Sequence, residues 1–214
     1  MTVSLWDHRL TYVAVPKVAC TSVKHAFFRV ENGREHEDFV ANGQYFHIHR
    51  IYPTRAFKDL PRDRLSGHLR MALVRDPVRR LLSCYGDRVI YNRELSREAA
   101  GKALEAAGLP TNPGLSEFID RLADYSRAVP AIAHHAAPHV DFLGEDPAYF
   151  AEIYSMSRLH DFAARVAAQI GRPFLLEHHQ VHGPKFCPSV LSSSQVAAIR
   201  RHYEADYDIW GRFF

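Results

Sequence analysis

Apolar residues near the start of the chain follow two different patterns. From Leu10 to Val15 they form a nearly continuous run that Pro16 ends, which predicts a buried β-strand. After a short turn, apolar residues return with a spacing of three or four positions, which predicts one face of a helix. These residues are Val23, Ala26, Phe27 and Val30.

The same arrangement occurs again in the middle of the chain. A second apolar run, Met71 to Val74, leads into the polar turn Arg75-Asp76-Pro77 and then into a segment with helical spacing. Repeated strand, turn and helix units are typical of an α/β protein with a central, mainly parallel sheet flanked by helices. We therefore expect that class. The apolar face of the second helix consists of Val78, Leu81, Leu82, Tyr85 and Val89.

Helix-start and helix-stop residues predict four further helices. They span Ser96–Ala107, Leu115–Ser126, Arg158–Ile170 and Ser192 to about Tyr207, where Gln195 completes a capping box. The stretch 31–70 shows no clean periodicity. At 214 residues and 47% hydrophobic content, the chain is long enough for one full core and short for two. We therefore expect one domain over residues 1–214.

Composition and charge narrow the class of protein. A net charge of +3 suits an anionic ligand, but it is smaller than the positive charge expected of a protein with a dense basic face for nucleic acid. The three cysteines are odd in number and widely spaced, which argues against a disulfide framework. The amino terminus lacks a signal-peptide core, and no apolar run reaches the roughly 20 residues of a membrane span. We expect a cytoplasmic protein without a transmembrane segment.

The first turn, with the sequence PKVACTS, has the chemistry of an anion-binding loop. A strand, a tight turn and a helix start direct backbone N–H groups toward one point, which suits phosphate or sulfate. The ammonium of Lys17 can reach such an anion, while Thr21 and Ser22 can cap the helix and donate hydroxyl hydrogen bonds. The alternative is a surface lysine beside a routine helix cap. The Gly-Lys-Ser/Thr of a nucleoside triphosphate site is missing from this turn.

The second turn offers another set of anion ligands. Asp76 suits the N-cap of the following helix and Pro77 suits its first position. Arg75 can then form a paired hydrogen bond to a phosphate at the helix start. Ser83 lies two turns further on, on the polar face of the helix, where a solvated serine is the alternative. The other members of that face are Arg79, Arg80 and Asp87.

Together the two turns resemble those of sulfotransferases that use 3′-phosphoadenosine 5′-phosphosulfate (PAPS). PKVACTS looks like their 5′-phosphosulfate loop and VRDPVRRLLSCY looks like their 3′-phosphate motif, most closely in the heparan sulfate 2-O branch of the membrane-type carbohydrate enzymes. The resemblance implies a single-domain, P-loop-like sulfotransferase fold, PAPS as sulfuryl donor and no metal. Lys17 would neutralise the oxygen that bridges phosphate and sulfate. The cofactor-binding residues that the resemblance implies are Lys17, Ala19, Cys20, Thr21, Ser22, Arg75 and Ser83.

A base for the acceptor hydroxyl is implied by the segment YFHIHRIYP. It resembles the His-x-His element of the 2-O-sulfotransferases, in which the second histidine matches the catalytic base, so we expect His49 as the base and His47 as its assistant. His68 is the reserve candidate. If the two histidines alternate along a strand, they point to opposite faces, and only one faces a given site. A structural role for each histidine is the alternative.

Similarity in the second half of the chain is weaker. The segment AIAHHAAPHVDFLG is similar to a His-x-x-Pro-Gln element of carbohydrate sulfotransferases, with His139 in place of the glutamine, and the terminal YEADYDIWGRF resembles the family's ending. Lys185 is a candidate nucleotide contact, against a solvated loop lysine. Zinc binding by the segment from His178 to Cys187 is a further alternative, although Gly183 and Pro184 break any helix there.

These features predict a sulfotransferase that moves a sulfuryl group from PAPS to a hydroxyl, with a carbohydrate or glycoconjugate as acceptor. Two other functions are open. One is a kinase-like nucleotide phosphotransferase, which would bind ATP with magnesium. The other is a catalytically silent module of the same fold that binds an anionic glycan. The identity of the acceptor and the oligomeric state are open as well.

Overall fold

The computed structural model describes residues 3–177 and 182–214. Within it the chain divides into two compact units, which are described separately below. The first contains the described parts of Met1–Val74, His139–Gln180 and Arg212–Phe214, and the second contains those of Arg75–Pro138 and Val181–Gly211. A single domain over the whole chain stays a prediction.

The strands belong to the first unit and form two sheets. They are β1 (Val3–Leu5), β2 (Leu10–Val13), β3 (Phe39–Ala41), β4 (Gln44–Phe46), β5 (Leu69–Val74) and β6 (Glu152–Ser155). The larger sheet has the order β1-β2-β5-β6, in which β2, β5 and β6 run parallel and β1 pairs antiparallel with β2. The smaller sheet is the antiparallel hairpin β3–β4. The expected mainly parallel sheet is therefore confirmed.

Helices make up most of the remaining described residues. The α-helices are α1 (Cys20–Asn32), α2 (Ile48–Ile51), α3 (Pro77–Cys84), α4 (Arg97–Ala106), α5 (Leu115–Asp120), α6 (Leu122–Ala128), α7 (Pro130–Ala136), α8 (His139–Leu143), α9 (Leu159–Ile170), α10 (Ser193–His202) and α11 (Glu204–Trp210). A π-helix, Tyr85–Tyr91, directly continues α3. Short 3-10 helices lie at Trp6–His8, Phe57–Asp59, Arg62–Leu65, Pro147–Tyr149, Met156–Arg158, Pro188–Val190 and Gly211–Phe213.

The core of the first unit forms where α1 and α9 pack against the larger sheet. Tyr12 of β2 is fully buried, and its ring centroid lies 6.2 Å from that of Phe27 in α1 and 5.5 Å from that of Phe162 in α9. Phe174, beyond α9, meets Phe27 edge-on at 5.5 Å. The strand and the helix predicted around the first turn are thus confirmed, and their aromatic side chains anchor the turn between them.

The core of the second unit is built around the predicted apolar face of α3 and the π-helix. All five residues of that face are buried, and they cluster with apolar side chains of α5, α6, α7 and α10. Asp76 and Pro77 take the N-cap and first helical positions as predicted, and the Asp76 side chain accepts from the backbone N–H of Arg79. Local cap signals therefore located this helix correctly.

Two of the other predicted helices are interrupted. The helix predicted over Leu115–Ser126 is wrong as one element, because it ends at Asp120 and restarts after Arg121, whose φ of −116° leaves the helical range. The helix predicted from Ser192 has its capping box, but it breaks at Tyr203, where φ is −109°. The Tyr203 hydroxyl donates to the carbonyl of Ala136 at 2.6 Å. This buried tertiary contact lies at the break, which no local sequence signal predicted.

The stretch without clean periodicity, residues 31–70, contains the β3–β4 hairpin and α2. Its two-residue turn is Asn42-Gly43, with φ values of 51° and 71°. Asn-Gly is the residue pair that a tight hairpin turn favours, so this hairpin could have been predicted from the sequence. Among the helices that the structure describes, none is long and apolar enough to cross a membrane.

Candidate active site

The turn between β2 and α1 has a constrained backbone. Lys17 and Ala19 both adopt the left-handed conformation, with φ of 65° and 50°, which is uncommon for residues other than glycine. The hydroxyl of the buried Tyr12 donates to the Val18 carbonyl at 3.4 Å and holds the turn from the core side. Burial raises the pKa of Tyr12 well above its ordinary value, so this hydroxyl stays protonated and can donate.

The start of α1 differs from the predicted capping scheme. Ala19, rather than Thr21 or Ser22, occupies the N-cap position, and no side chain caps the helix. Thr21 and Ser22 lie inside the first helical turn and are buried. The prediction that these two residues cap the helix is wrong, because the left-handed Ala19 begins the helix earlier. With no acidic residue in its first turn, this helix start favours an anion.

At the start of α1, Thr21 and Lys24 contact the ring of His49. The Nε2 atom of His49 lies 2.9 Å from the Thr21 hydroxyl, and its Nδ1 atom lies 3.0 Å from the Lys24 Nζ atom. Lys24 Nζ also donates to the Thr54 hydroxyl at 2.7 Å. Both ring nitrogens of His49 are therefore engaged by side chains of α1. The histidine is joined directly to the helix that begins at the anion turn.

Lys24 was not singled out from the sequence. Its side chain is fully buried, and this burial lowers the pKa of its ammonium group, while an interaction with Cys20 raises it to a smaller extent. The available signal was its position, since Lys24 stands on the buried side of α1, four residues after Cys20 and three before Phe27. A lysine within an apolar stripe is costly to bury and therefore indicates a specific role.

The two histidines of the His-x-His element do not lie on one strand. The strand β4 ends at Phe46, so His47 is the N-cap residue of α2 and His49 lies within that helix. The alternation of two faces that a strand would impose on these histidines therefore does not apply. The rings form a series, in which Tyr45 stacks on His47 with centroids 5.9 Å apart and His47 lies 5.8 Å from His49. The rings of His47 and His49 are therefore neighbours.

His68, the reserve candidate, lies elsewhere in the first unit. It directly precedes β5, whereas Lys17 follows β2, and the two strands are parallel. The two residues therefore lie at opposite edges of the sheet, about 20 Å apart for a six-residue strand. The Nδ1 atom of His68 lies 2.8 Å from the Thr11 hydroxyl, and burial, assisted by Arg9 and Arg70, lowers its pKa. The structure does not bring His68 to the turn.

In the second unit, positive charge is concentrated at the start of α3. Burial lowers the pKa of Arg75, and the nearby charges of Arg79 and Arg80 lower it further, against a smaller opposing effect of Asp76. Asp76 is held in place, since it also accepts from the Tyr207 hydroxyl at 3.0 Å. The positive charges around Arg75 create a region in which an anion is stabilised.

The polar face predicted for α3 is only partly present. Ser83 is half-buried and Arg79 is exposed, but Arg80 is 1% exposed and Asp87 is buried as well, so the four residues predicted on one polar face are not all solvated. Arg80 donates to the carbonyls of Ala137 at 2.5 Å and His135 at 3.5 Å, and its guanidinium lies over the ring of Tyr203. Arg80 therefore binds the backbone at the C-terminal end of α7.

Comparison with known proteins decides the family. A sulfotransferase family model matches residues 5–211, which is nearly the whole chain. The chain belongs to the sulfotransferase family. No curated protein and no solved structure matches it. The region of this sulfotransferase that is matched includes the Lys17 turn, the His47-His49 segment and the Arg75 turn.

The segment with Lys185 packs against the π-helix of this sulfotransferase. A Cβ atom built on Gly86 would lie 2.2 Å from the Pro184 carbonyl oxygen, and one on Gly183 would lie 2.4 Å from the Gly86 oxygen, so the two backbones touch. The ring of Phe186 lies 5.4 Å from that of Tyr85. Lys185 itself is exposed. The glycine and proline that break the helix here thus serve a close contact between two backbone segments.

The proposed zinc segment of the sulfotransferase is described only in part. His178 and His179 lie outside the described residues, His182 stacks on Tyr91 with centroids 5.0 Å apart, and Cys187 is exposed. Within residues 3–177 and 182–214, no group of three histidine, cysteine, aspartate or glutamate side chains is arranged to hold a metal ion.

The weaker His-x-x-Pro element also has a structural account in this sulfotransferase. His135 lies in α7, where its Nδ1 atom is 2.8 Å from the carbonyl of Ala131 in the preceding turn. His139, which stands in place of the family's glutamine, is fully buried in the first unit with its ring 5.3 Å from that of Phe214. These contacts favour packing over ligand binding for both histidines.

Proposed function

We propose that this sulfotransferase moves the sulfuryl group of PAPS to a hydroxyl of a carbohydrate or glycoconjugate, without a metal ion. The observation that carries the proposal is the turn between β2 and α1. Its left-handed residues Lys17 and Ala19 lead into a helix start that has no side-chain cap and that carries the hydroxyls of Thr21 and Ser22. This arrangement favours a single phosphosulfate group over a triphosphate, because it lacks the Walker glycines.

Donor binding is assigned residue by residue. The amide and hydroxyl groups of the turn would hold the 5′-phosphate, and the ammonium of Lys17 would neutralise the oxygen that bridges phosphate and sulfur. Arg75, at the start of α3, is the proposed ligand of the 3′-phosphate, and the positive potential around it supports that role. The further proposed cofactor contacts are Ala19, Cys20, Thr21, Ser22, Ser83 and Lys185.

Sulfuryl transfer, like phosphoryl transfer, is expected to pass through a loose in-line transition state. The acceptor oxygen forms a bond to sulfur while the bond between sulfur and the bridging oxygen breaks, and adenosine 3′,5′-bisphosphate leaves with the electron pair. Charge on the departing oxygen is stabilised by Lys17, and the acceptor proton is removed late. We assign that proton to His49, with His47 assisting through its neighbouring ring.

The hairpin β3–β4 supports a carbohydrate acceptor. Tyr45 is 54% exposed, its ring stacks on His47, and the series of rings continues to His49. Exposed aromatic faces bind the apolar faces of sugar rings, while Asp38, which accepts from the Tyr45 hydroxyl, fixes the ring's orientation. We propose that the acceptor saccharide lies along this hairpin. A heparan sulfate 2-O-like acceptor and a cytoplasmic location stay predictions of the sequence.

Transfer of labelled sulfate from PAPS tests this function. The protein is incubated with labelled PAPS and desulfated glycosaminoglycans, and incorporation into the polysaccharide is measured. The wild type is expected to incorporate label, and His49→Ala is expected to lose roughly 10²–10⁴-fold in kcat. A wild type that binds the glycan but transfers no label, so that His49→Ala does not change the incorporation, would contradict the proposal and support a silent glycan-binding module instead.

A further inference from the structure

The buried pair of Lys24 and His49 carries a consequence for proton transfer, provided that the proposed function holds. Lys24 Nζ is within hydrogen-bond distance of His49 Nδ1 at 3.0 Å and of the Thr54 hydroxyl at 2.7 Å. Among the described residues, neither hydrogen-bond partner of Nζ is a carboxylate. Because Lys24 is fully buried, its protonation state has to be set by these neighbours rather than by water.

The protonation of Lys24 determines which nitrogen of His49 carries a proton. An ammonium group donates three hydrogen bonds and accepts none, so a charged Lys24 would make Nδ1 an acceptor and place the ring proton on Nε2, facing the Thr21 hydroxyl. His49 would then have no lone pair for a substrate proton. A neutral amine accepts the Nδ1 proton instead and leaves the Nε2 lone pair toward Thr21.

We propose that Lys24 is the positioning residue of the base: as a neutral amine it accepts the Nδ1 hydrogen bond of His49 and thereby makes Nε2 the nitrogen that receives the acceptor proton. Thr21 completes the arrangement. In the free protein its hydroxyl donates to Nε2, and when the donor binds, the same hydroxyl turns to the 5′-phosphate and releases Nε2 to the acceptor.

The surroundings of Lys24 favour the neutral amine. Burial lowers its pKa, and Cys20, the nearby group that opposes this shift, has the smaller effect. The side chains that reach Nζ from α2 and the segment after it, His49 and Thr54, carry no negative charge, and an imidazole and a hydroxyl can hydrogen-bond to an amine as well as to an ammonium. A buried lysine without a carboxylate partner is a setting in which large downward shifts of the lysine pKa are known.

The proton moves in two linked transfers. As the acceptor oxygen bonds to sulfur, its proton passes to His49 Nε2, and the Nδ1 proton passes to Lys24 Nζ, which becomes an ammonium hydrogen-bonded to Thr54. The bond between sulfur and the bridging oxygen breaks, and the bisphosphate leaves with its electrons. The ring ends with its proton on Nε2, and the pair returns to the starting state when the extra proton is lost to solvent through His49.

Nitrogen-15 NMR of histidine-labelled protein tests the tautomer directly. The signal of His49, one of 14 histidines, is assigned by its loss in His49→Gln. At a pH above the titration of the ring, the free protein is expected to show a protonated Nδ1 and a bare Nε2. A protonated Nε2 in the wild type would overturn the proposal, whatever the activity. In Lys24→Met, which removes the acceptor, the preference for the Nδ1 proton is expected to weaken.

Steady-state kinetics of three Lys24 variants give the second test. Lys24→Arg keeps a cation that cannot accept a proton, so it is expected to lose roughly 10²-fold or more in kcat. Lys24→Gln offers a carbonyl oxygen to Nδ1 and is expected to retain more activity than Lys24→Arg. Lys24→Met removes both charge and acceptor. If Lys24 served as a buried charge, the order would reverse, with Lys24→Arg the most active variant.

Calorimetry with adenosine 3′,5′-bisphosphate separates this proposal from the proposed function. Each Lys24 variant that folds is expected to bind the nucleotide within about tenfold of the wild type, because Lys24 acts on the base rather than on the donor. A wild type that does not bind the nucleotide would remove the proposed function. If the wild type binds the nucleotide but its His49 carries the ring proton on Nε2, only the proposed role of Lys24 is contradicted.

Discussion

Ala19 occupies a backbone conformation that an alanine adopts at a free-energy cost. Its φ of 50° places the Cβ atom close to backbone oxygen, which costs roughly 1–2 kcal/mol, and glycine avoids this cost. We expect Ala19→Gly to raise the free energy of unfolding by about 1 kcal/mol, after the larger unfolded-state entropy of glycine is subtracted. Urea unfolding measures the change.

Ala26→Gly is the matched control for this substitution, because Ala26 lies inside α1 with helical neighbours. It is expected to lower the free energy of unfolding by about 1 kcal/mol or more, through helix propensity and lost packing. Equal destabilisation by both substitutions would show that the Ala19 turn is not strained.

His68 predicts a pH dependence of stability. Burial, with Arg9 and Arg70, lowers its pKa in the folded protein, so between the folded pKa and about 6.5 the unfolded state binds more protons. This contribution to stability is present above pH ~6.5 and is lost as the pH falls toward the folded pKa. The free energy of unfolding should therefore fall below pH ~6.5, less steeply in His68→Gln. Identical slopes in urea titrations of the two proteins would contradict this assignment.

At the scale of single residues, the sequence predicted those whose role depends on their neighbours along the chain. Lys17 and Arg75 stand at turns between a strand and a helix, so their candidate role could be predicted from neighbouring residues alone. The position of Lys24 on the buried side of α1 was a local signal, but its role could not be predicted, because its partners His49 and Thr54 are distant in sequence and meet it only through packing. Nor could the left-handed Ala19 be foreseen, since alanine carries no signal for that conformation.

At the scale of elements, the contact between Gly86 and Pro184 fixes the segment that carries Lys185. A Cβ atom at Gly86 would meet the Pro184 carbonyl oxygen at 2.2 Å, a distance that cannot be accommodated without moving the backbone. Gly86→Ala is expected to displace the segment and to lower the free energy of unfolding by about 1–3 kcal/mol, as overpacking does. Nucleotide affinity should fall with it if Lys185 contacts the cofactor.

Gly101→Ala provides the control for that substitution. Gly101 lies inside α4, and its added Cβ would meet only the flexible side chain of Arg97 at 3.3 Å. Alanine is the better helix former, so the control is expected to keep or gain stability. A destabilisation of Gly86→Ala no larger than that of the control would contradict the close contact of the two backbones.

Elements with strong local signals were predicted well, and elements set by tertiary contacts were not. The capping box of Ser192 and Gln195 and the Asp76-Pro77 start both mark real helices. The breaks at Arg121 and Tyr203 coincide with long-range hydrogen bonds, from Arg121 to the Gly108 carbonyl and from Tyr203 to the Ala136 carbonyl. The β3–β4 hairpin has an Asn-Gly turn signal, but it was not predicted because the residues on either side show no clean strand pattern.

At the scale of the whole molecule, the α/β class and the sulfotransferase family follow from features that the sequence displays openly. Two of the three parallel strands, β2 and β5, and the helices after them form as their apolar patterns predict, whereas β6 was not predicted; the family model matches nearly the full length. The acceptor is harder to predict from the sequence, because its proposed binding region lies in the irregular segment 31–70, which obeys no strong local rule.

Calorimetric titration with adenosine 3′,5′-bisphosphate tests the central claim most directly. The wild type is expected to bind the nucleotide without magnesium. Lys17→Ala should retain affinity within about tenfold, because the proposed role of Lys17 is at the bridging oxygen of the sulfated donor, whereas Arg75→Ala should lose roughly 1.5–3 kcal/mol of binding free energy. No binding of the bisphosphate by the wild type at millimolar concentration, or magnesium-dependent binding of ATP in its place, would contradict the assignment of PAPS as the sulfuryl donor.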